Sequence, residues 1–327
     1  MGHFGKTRIS VDELYHGIIN HDRLMLSKAI TLIESRRKDD ITRGAELLDK
    51  IISHSGKSIR LGITGVPGVG KSSFIESFGS QLTQKGHRLA ILSIDPSSSK
   101  SGGSILGDKT RMEQLSHDPN AYIRPSPAGQ TLGGVNNKTR ETILLCEAAG
   151  FDIIIVETVG VGQSETAVKD MVDCFLLLML SGGGDELQGI KRGIMEMADI
   201  IAINKSDGDN VGASKQTKKI LENAVHLFPP HEINWVVPVS LCSALTKHGI
   251  TEIWDDINRF IALSQSENFF KHNRQIQNAH WYRQLVDEEI KHTYFDEEKR
   301  ARYRQIEAKI IANEMGVRNG LRKLFES

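Results

Sequence analysis

The chain has 327 residues, enough for one large domain with appendages. Hydrophobic residues make up 39% and charged residues 25%, ordinary proportions for a globular protein with a packed core. Lys plus Arg and Asp plus Glu both number 41, so the formal charge is zero, which argues against nucleic acid as the main partner.

Cys146, Cys174 and Cys242 stand apart with no C-x-x-C pair, as in a reducing compartment. The longest strictly apolar run, Phe175 to Leu180, is too short to cross a bilayer. The N-terminus is polar and charged, unlike a signal peptide, and Lys6 stands where a myristoylation signal needs Ser or Thr. The expectation is a cytoplasmic protein with no membrane anchor.

Residues 1–56 read as helical. Leu24, Ala29, Ile30, Leu32 and Ile33 recur near helical spacing, as do Ala45, Leu47, Leu48, Ile51 and Ile52. Between them Arg36 to Asp40 forms a polar break. From Ser58 short apolar runs alternate with helix-like segments. The strand candidates are Ile59–Thr64, Leu89–Ile94, Asp152–Glu157, Cys174–Leu180, Ile200–Asn204 and Trp235–Val239. Such alternation predicts β-α-β units and a mainly parallel sheet flanked by helices. Ligands bind such sheets at the carboxyl ends of the strands.

The first strand candidate runs into Gly65-Val66-Pro67-Gly68-Val69-Gly70-Lys71-Ser72, the phosphate-loop pattern G-x-x-x-x-G-K-[ST]. Its glycines let backbone N–H groups face phosphate oxygens, and the helix that follows presents its positive end to the anion. Lys71 would reach the β- and γ-phosphates. Ser72, with Ser73 beside it, would supply a hydroxyl to Mg²⁺, a hard cation that wants oxygen ligands. Three carboxylates follow as candidates for the metal or its waters. Asp95 ends the second strand, Asp108 lies in the Gly-rich stretch 102–108, and Glu157 ends the third strand in Glu157-Thr158-Val159-Gly160, which resembles the D-x-x-G element with Glu in place of Asp. Lys71, Asp95 and Glu157 are the catalytic candidates.

Further on, Asn204-Lys205-Ser206-Asp207 has the form N-K-x-D. Guanine offers a ring N–H and an exocyclic amine side by side, and Asp207 can accept from both. Adenine lacks that pair and would leave the carboxylate unmatched. Asn204 would hold the loop and reach the purine edge, and the Lys205 stem can cover the base plane. Ser243-Ala244-Leu245 resembles the S-A-L/K element whose backbone meets the guanine oxygen. Phosphate loop and base motif together predict a P-loop nucleoside triphosphatase fold that takes GTP. After Gly249, Ile253, Trp254, Ile257, Phe260 and Ile261 form a helical stripe. From there to the end only helices are expected, with Trp281, Leu285 and Ile290 on one and Tyr303, Ile306, Ile310 and Ile311 on another. The expected division is a helical region 1–56, a GTPase domain 57–264 and a helical extension 265–327.

Four strings go beyond a generic GTPase: Asp95–Ser98, Gly102–Met112, Glu157–Glu165 and Gly182–Lys191. They closely resemble the MeaB/ArgK family over about residues 60 to 260. Members are GTPases that accompany adenosylcobalamin-dependent acyl-CoA mutases, chiefly methylmalonyl-CoA mutase. The resemblance implies a G-protein chaperone that couples GTP binding and hydrolysis to cofactor loading and protection of the mutase. It also implies a homodimer built with the C-terminal helices. The stretches 102–112 and 158–165 are natural switch loops beside the γ-phosphate, and 182–191 resembles the family's third switch. Small GTPases carry a Gln directly after D-x-x-G, but Val161 stands there, which predicts slow intrinsic hydrolysis accelerated by the partner. Two other readings share the nucleotide motif: a metal-insertion GTPase of the hydrogenase or urease maturation type, and a kinase linked to amino-acid transport.

Overall fold

The computed structural model describes residues 8–94, 112–125, 132–158, 164–182, 192–294, 297–312 and 314–325. The chain divides into two compact units, Met1–Arg274 and Gln275–Ser327.

The first unit opens with three helices, α1 (Val11–Ile19), α2 (Arg23–Glu34) and α3 (Lys38–Ile51). Ser10 and Glu13 form a reciprocal capping box at the start of α1, and Asp22 accepts two N–H groups at the start of α2. The polar break is shorter than expected, because α3 already begins at Lys38 and Asp40 is buried against Ser35 and Arg8. Leu24, Ala45 and Ile52 face solvent, while Leu26, Ala29, Ile30, Ile33, Leu47 and Ile51 form the buried stripes.

The sheet is parallel throughout, in the order β3-β2-β4-β1-β5-β6-β7. Its strands are β1 (Ile59–Gly65), β2 (Leu89–Ile94), β3 (Ala121–Pro125), β4 (Ile153–Thr158), β5 (Cys174–Leu180), β6 (Ile200–Asn204) and β7 (Val239–Leu241). The four central strands and β6 are buried along nearly their whole length. Helices cover both faces, which is why β2, β4, β5 and β6 read as nearly continuous apolar runs, while β1 buries Arg60 and Thr64 among its apolar residues. On one face α1 to α3 and α6 (Leu132–Ala148) pack over β2 and β4. On the other lie α4 (Lys71–Gln84) and α10 (Ile250–Ser266), with Phe74, Phe78, Trp254 and Phe260. A third cluster joins β6 and β7 to α9 (Val211–Val225) and α8 (Arg192–Glu196). Two short helices also belong to this unit, α5 (Glu113–His117) and α7 (Ser164–Lys169).

Two strand expectations need correction. The sequence reading missed β3, whose Ala-Tyr-Ile core is short and runs into Arg124 and Pro125. It is an edge strand, paired on one side with β2. The last strand lies at Val239–Leu241, not Trp235–Val239. Trp235 serves instead as an anchor, its indole donating to Asp199 O at 2.8 Å and meeting the Phe260 ring edge-on.

From Phe269 the described residues form three helices, α11 (Phe269–Tyr294), α12 (Glu297–Ile311) and α13 (Val317–Phe325). Within the second unit, α13 packs Gly320 so tightly on α12 that a Cβ there would lie 2.7 Å from Ile310. No described helix is long and apolar enough to cross a membrane.

Candidate functional site

β1 is the central strand, and the chain leaves it at Gly65 to form the phosphate loop. Gly65 has φ +154°, and a Cβ there would lie 2.4 Å from Leu178 O on β5, so the loop starts flush against the neighbouring strand. Val69 is buried in the core below, while Pro67 and Gly68 face outward. Gly70 caps α4 in the left-handed region, at φ +90°. Lys71 and Ser72 open the helix half-buried, and Ser73 is exposed. The loop therefore turns its rim, and the N-terminus of α4, toward open space.

Lys71 Nζ donates to Gly65 O at 2.7 Å and Val66 O at 3.4 Å. Burial holds its ammonium below the ordinary lysine value, opposed by the carboxylates of Glu157 and Glu165. Glu157 is the penultimate residue of β4, only 4% exposed, in register with Ile63 of β1 and Ser93 of β2. The Thr64 and Thr158 hydroxyls meet at 2.7 Å and tie the ends of β1 and β4 together. Glu165 closes the family-like string Glu157–Glu165, and nothing in the sequence assigns it a role. The fold buries it in the first turn of α7, and its charge acts on Lys71. Asp95 and Asp108 lie outside the described residues, as do the expected switch stretches apart from their edges.

The base motif and the phosphate loop are laced together. Asn204 is buried at the end of β6. Its Nδ2 donates to Val69 O at 2.8 Å, and its Oδ1 accepts from Ala244 N at 3.1 Å. One amide thus ties the phosphate loop to both base loops. Lys205, at φ +58°, reaches back to donate to Gly68 O at 2.8 Å. Ser206 N donates to Cys242 O, and Cys242 N donates to Ile203 O. Ser243 is buried, with its Oγ accepting from Thr246 N. Ala244 is half-buried, and Leu245 is 84% exposed. Asp207 is half-buried, its carboxylate without a hydrogen-bond partner among the described residues. Gly65 to Ser73, Glu157, Asn204 to Asp207 and Ser243 to Leu245 therefore share one end of the sheet, at the carboxyl ends of β1, β4, β6 and β7.

The family model described as methylmalonyl-CoA mutase-associated GTPase MeaB matches residues 26–299. This chain belongs to the MeaB family. As a member it is a P-loop GTPase. The GTPase ArgK of Escherichia coli is 46% identical over 306 residues, covering 93% of this chain and 92% of that protein. The mouse mitochondrial methylmalonic aciduria type A homolog is 47% identical over 290 residues, covering 86% of this chain and 70% of that protein. Among solved structures, a LAO/AO transport system kinase superposes with a TM-score of 0.77 at 39% identity, over 96% of each chain. The MeaB match begins inside α2 and ends at the start of α12, so it takes in α3 and α11 as well as the nucleotide fold.

Proposed function

We propose that this MeaB-family GTPase is a G-protein chaperone for an adenosylcobalamin-dependent acyl-CoA mutase, methylmalonyl-CoA mutase first. GTP binding and hydrolysis would be coupled to cofactor loading and protection of that enzyme. The observation that carries the reading is the family match itself, which takes in α3 and α11 as well as the nucleotide motifs.

In this reading the backbone of Gly65 to Gly70 cradles the phosphates. Lys71 turns from Gly65 O to the β- and γ-phosphates, exchanging a carbonyl for charged oxygens. That exchange suits an ammonium whose burial disfavours its charge until an anion arrives. Asp207 accepts from the guanine edge, with the Lys205 stem along the base plane and the Ser243-Ala244-Leu245 loop at the guanine oxygen. Ser72, Glu157, Asp95 and Asp108 are the oxygen donors for Mg²⁺. Of these, Ser72 and Glu157 are described at the phosphate end of the sheet, and a hydroxyl and a buried carboxylate are oxygen donors of the kind a hard cation takes. Bound Mg²⁺ would neutralise charge on the phosphate oxygens. Lys71, Glu157 and Asp95 would serve the hydrolytic step.

The same reading makes the protein a cytoplasmic homodimer that contacts its mutase through 182–191. Support for the dimer comes from the second unit, where Ile290, Ile311, Val317, Leu321 and Phe325 all face solvent. Exposed apolar side chains on all three helices of this unit suit a surface that another chain covers.

The test is GTP turnover by the purified chain, alone and with a cobalamin-dependent methylmalonyl-CoA mutase. Slow turnover that rises with the mutase is expected, and Lys71→Ala should lower it about a hundredfold. Fast turnover that saturating mutase leaves unchanged sinks the chaperone reading. Transfer of the γ-phosphate to a protein or amino acid would instead favour a kinase. Light scattering on the same sample reads the dimer, and a monomer at micromolar concentration would remove it.

A further inference from the structure

Helix α7 is docked on the sheet at two points remote from the phosphate loop. Val168 lies over Gly62 of β1, so close that a Cβ there would stand 2.9 Å from Val168 Cγ1. Lys169 Nζ donates to Oδ2 of the buried Asp199 at 2.6 Å. Glu165 stands one turn before Val168, on the same face of the helix, and is only 1% exposed. The crossover from β4 to the parallel β5 returns from the carboxyl ends of the strands. The step from Val168 back to Glu165 therefore leads toward the end of β1, where Gly65 opens the loop. There Lys71 Nζ rests on Gly65 O at 2.7 Å, and the Glu165 carboxylate acts on that ammonium.

Helix stability does not explain why this carboxylate is buried. An acid in the first turn of α7 would suit the positive end of the helix from the surface. Burial is costly for a carboxylate unless a cation answers it. What burial adds is a fixed negative charge near Lys71, in surroundings that screen it poorly. Glu157 is the other carboxylate that acts on Lys71. In the reading given above, Glu157 lends its charge to Mg²⁺. Glu165 is then the anion that still answers the ammonium, and a phosphate has to draw Lys71 from Gly65 O against it.

We propose that Glu165 sets how tightly the site holds GDP: it competes with the phosphates for Lys71 and so keeps the nucleotide exchangeable. The proposal rests on the reading of Lys71 as the residue that reaches the β- and γ-phosphates. Removing the Glu165 charge should free Lys71 for phosphate and tighten binding. A residue that merely braces α7 would act the other way, because a loosened site binds less.

The experiment measures affinity and dissociation rate of a fluorescent GDP in Mg²⁺ buffer for wild type, Glu165→Gln, Lys71→Ala and the double variant, with melting curves as the check on folding. Glu165→Gln should tighten GDP about tenfold, mainly through slower dissociation. Lys71→Ala should weaken it about tenfold or more. On the Lys71→Ala background the Gln substitution should change affinity less than about twofold, since the cation under competition is gone. Glu165→Met has a similar shape and no charge, so it asks the same question should the Gln variant not fold. Two results overturn the proposal: GDP binding that is unchanged or weaker in the folded Glu165 variants, or an equal gain with and without Lys71. If Lys71→Ala weakens GDP while Glu165→Gln does not tighten it, only the role of Glu165 fails. If Lys71→Ala leaves GDP binding unchanged, the reading of Lys71 fails and takes the proposal with it.

Discussion

Gly70 is where single-residue chemistry matters most. It holds φ +90° at the head of α4, and a Cβ there would lie 2.9 Å from Asn204 Nδ2. Any L-residue would strain the backbone and push aside the amide that joins the phosphate loop to both base loops. Gly70→Ala should destabilise the fold by about 1–2 kcal/mol from the left-handed backbone alone. It should also weaken GDP about tenfold or more, because the displaced Asn204 leaves buried hydrogen bonds unmade. Urea unfolding and fluorescent-GDP titration read the two effects. Wild-type affinity in the variant would show that the lacing between loops does not matter for the nucleotide. The loop itself was legible in the sequence because its pattern names the backbone geometry it needs. The lacing was not, since Asn204 and Val69 are 135 positions apart and nothing local distinguishes an Asn that meets a base from one that bonds a carbonyl. Glu165 escaped for a similar reason: its burial beside Lys71 depends on how α7 folds back onto β1 and β4.

At the scale of elements, β2, β4 and β5 were readable because both of their faces are buried, which leaves runs rich in Ile, Leu and Val, and β1 was readable from the phosphate loop it runs into. Edge strands carry a weaker signal. Only Ala121 and Tyr122 of β3 are buried, and much of what secures β3 comes from α2. Arg23 Nη2 donates to Ala121 O at 2.6 Å, the Ser27 and Tyr122 hydroxyls meet at 3.1 Å, and Glu34 pairs with Arg124. Those partners lie some hundred residues upstream, beyond any periodicity window. Helix faces were misjudged at Leu24, Ala45 and Ile52 because spacing shows a stripe but not its edge. Tight packing between elements has its own test at Gly62 in β1. A Cβ there would lie 2.7 Å from Phe175 Cδ2, 2.9 Å from Val168 Cγ1 and 3.0 Å from Val172 Cγ2. All three neighbours are buried, so none has free space to move into. Gly62→Ala should destabilise by about 1–3 kcal/mol through overpacking, despite the better strand propensity of Ala. An unchanged urea midpoint would mean that α7 can shift on β1 at no cost, a result that would also bear on how firmly Glu165 is held.

Across the first unit as a whole, one buried polar network joins segments far apart in sequence at the end of the sheet opposite the nucleotide site. Glu147, at the end of α6, accepts from Gly56 N at 2.7 Å, Ser58 Oγ at 2.6 Å and both Arg60 Nε and Nη2 at 2.9 Å. Arg274 closes the other side, with two bonds to Asp173 at 2.7 and 2.6 Å and further bonds to the carbonyls of Gly56 and Ser58. Burial alone would raise the carboxyl of Glu147. The Arg60 guanidinium, Ser58 and Arg274 outweigh it and hold the group below its ordinary value of 4.5. A carboxylate whose folded-state value is depressed contributes stability above its unfolded value, and that contribution is lost as pH falls through the folded value. Glu147→Gln removes the charge while leaving Arg60 buried and short of its partner. At neutral pH the variant should be less stable by about 3–5 kcal/mol, the usual cost of breaking a buried pair on one side. The gap should narrow below about pH 4.5, as wild type loses a contribution the variant never had. Urea unfolding of both proteins from pH 7 down to pH 3 measures this. A gap that stays constant over the whole range would mean that shape and hydrogen-bond count at position 147, not its charge, hold the linker 56–58 and the first turns of α11 against the sheet.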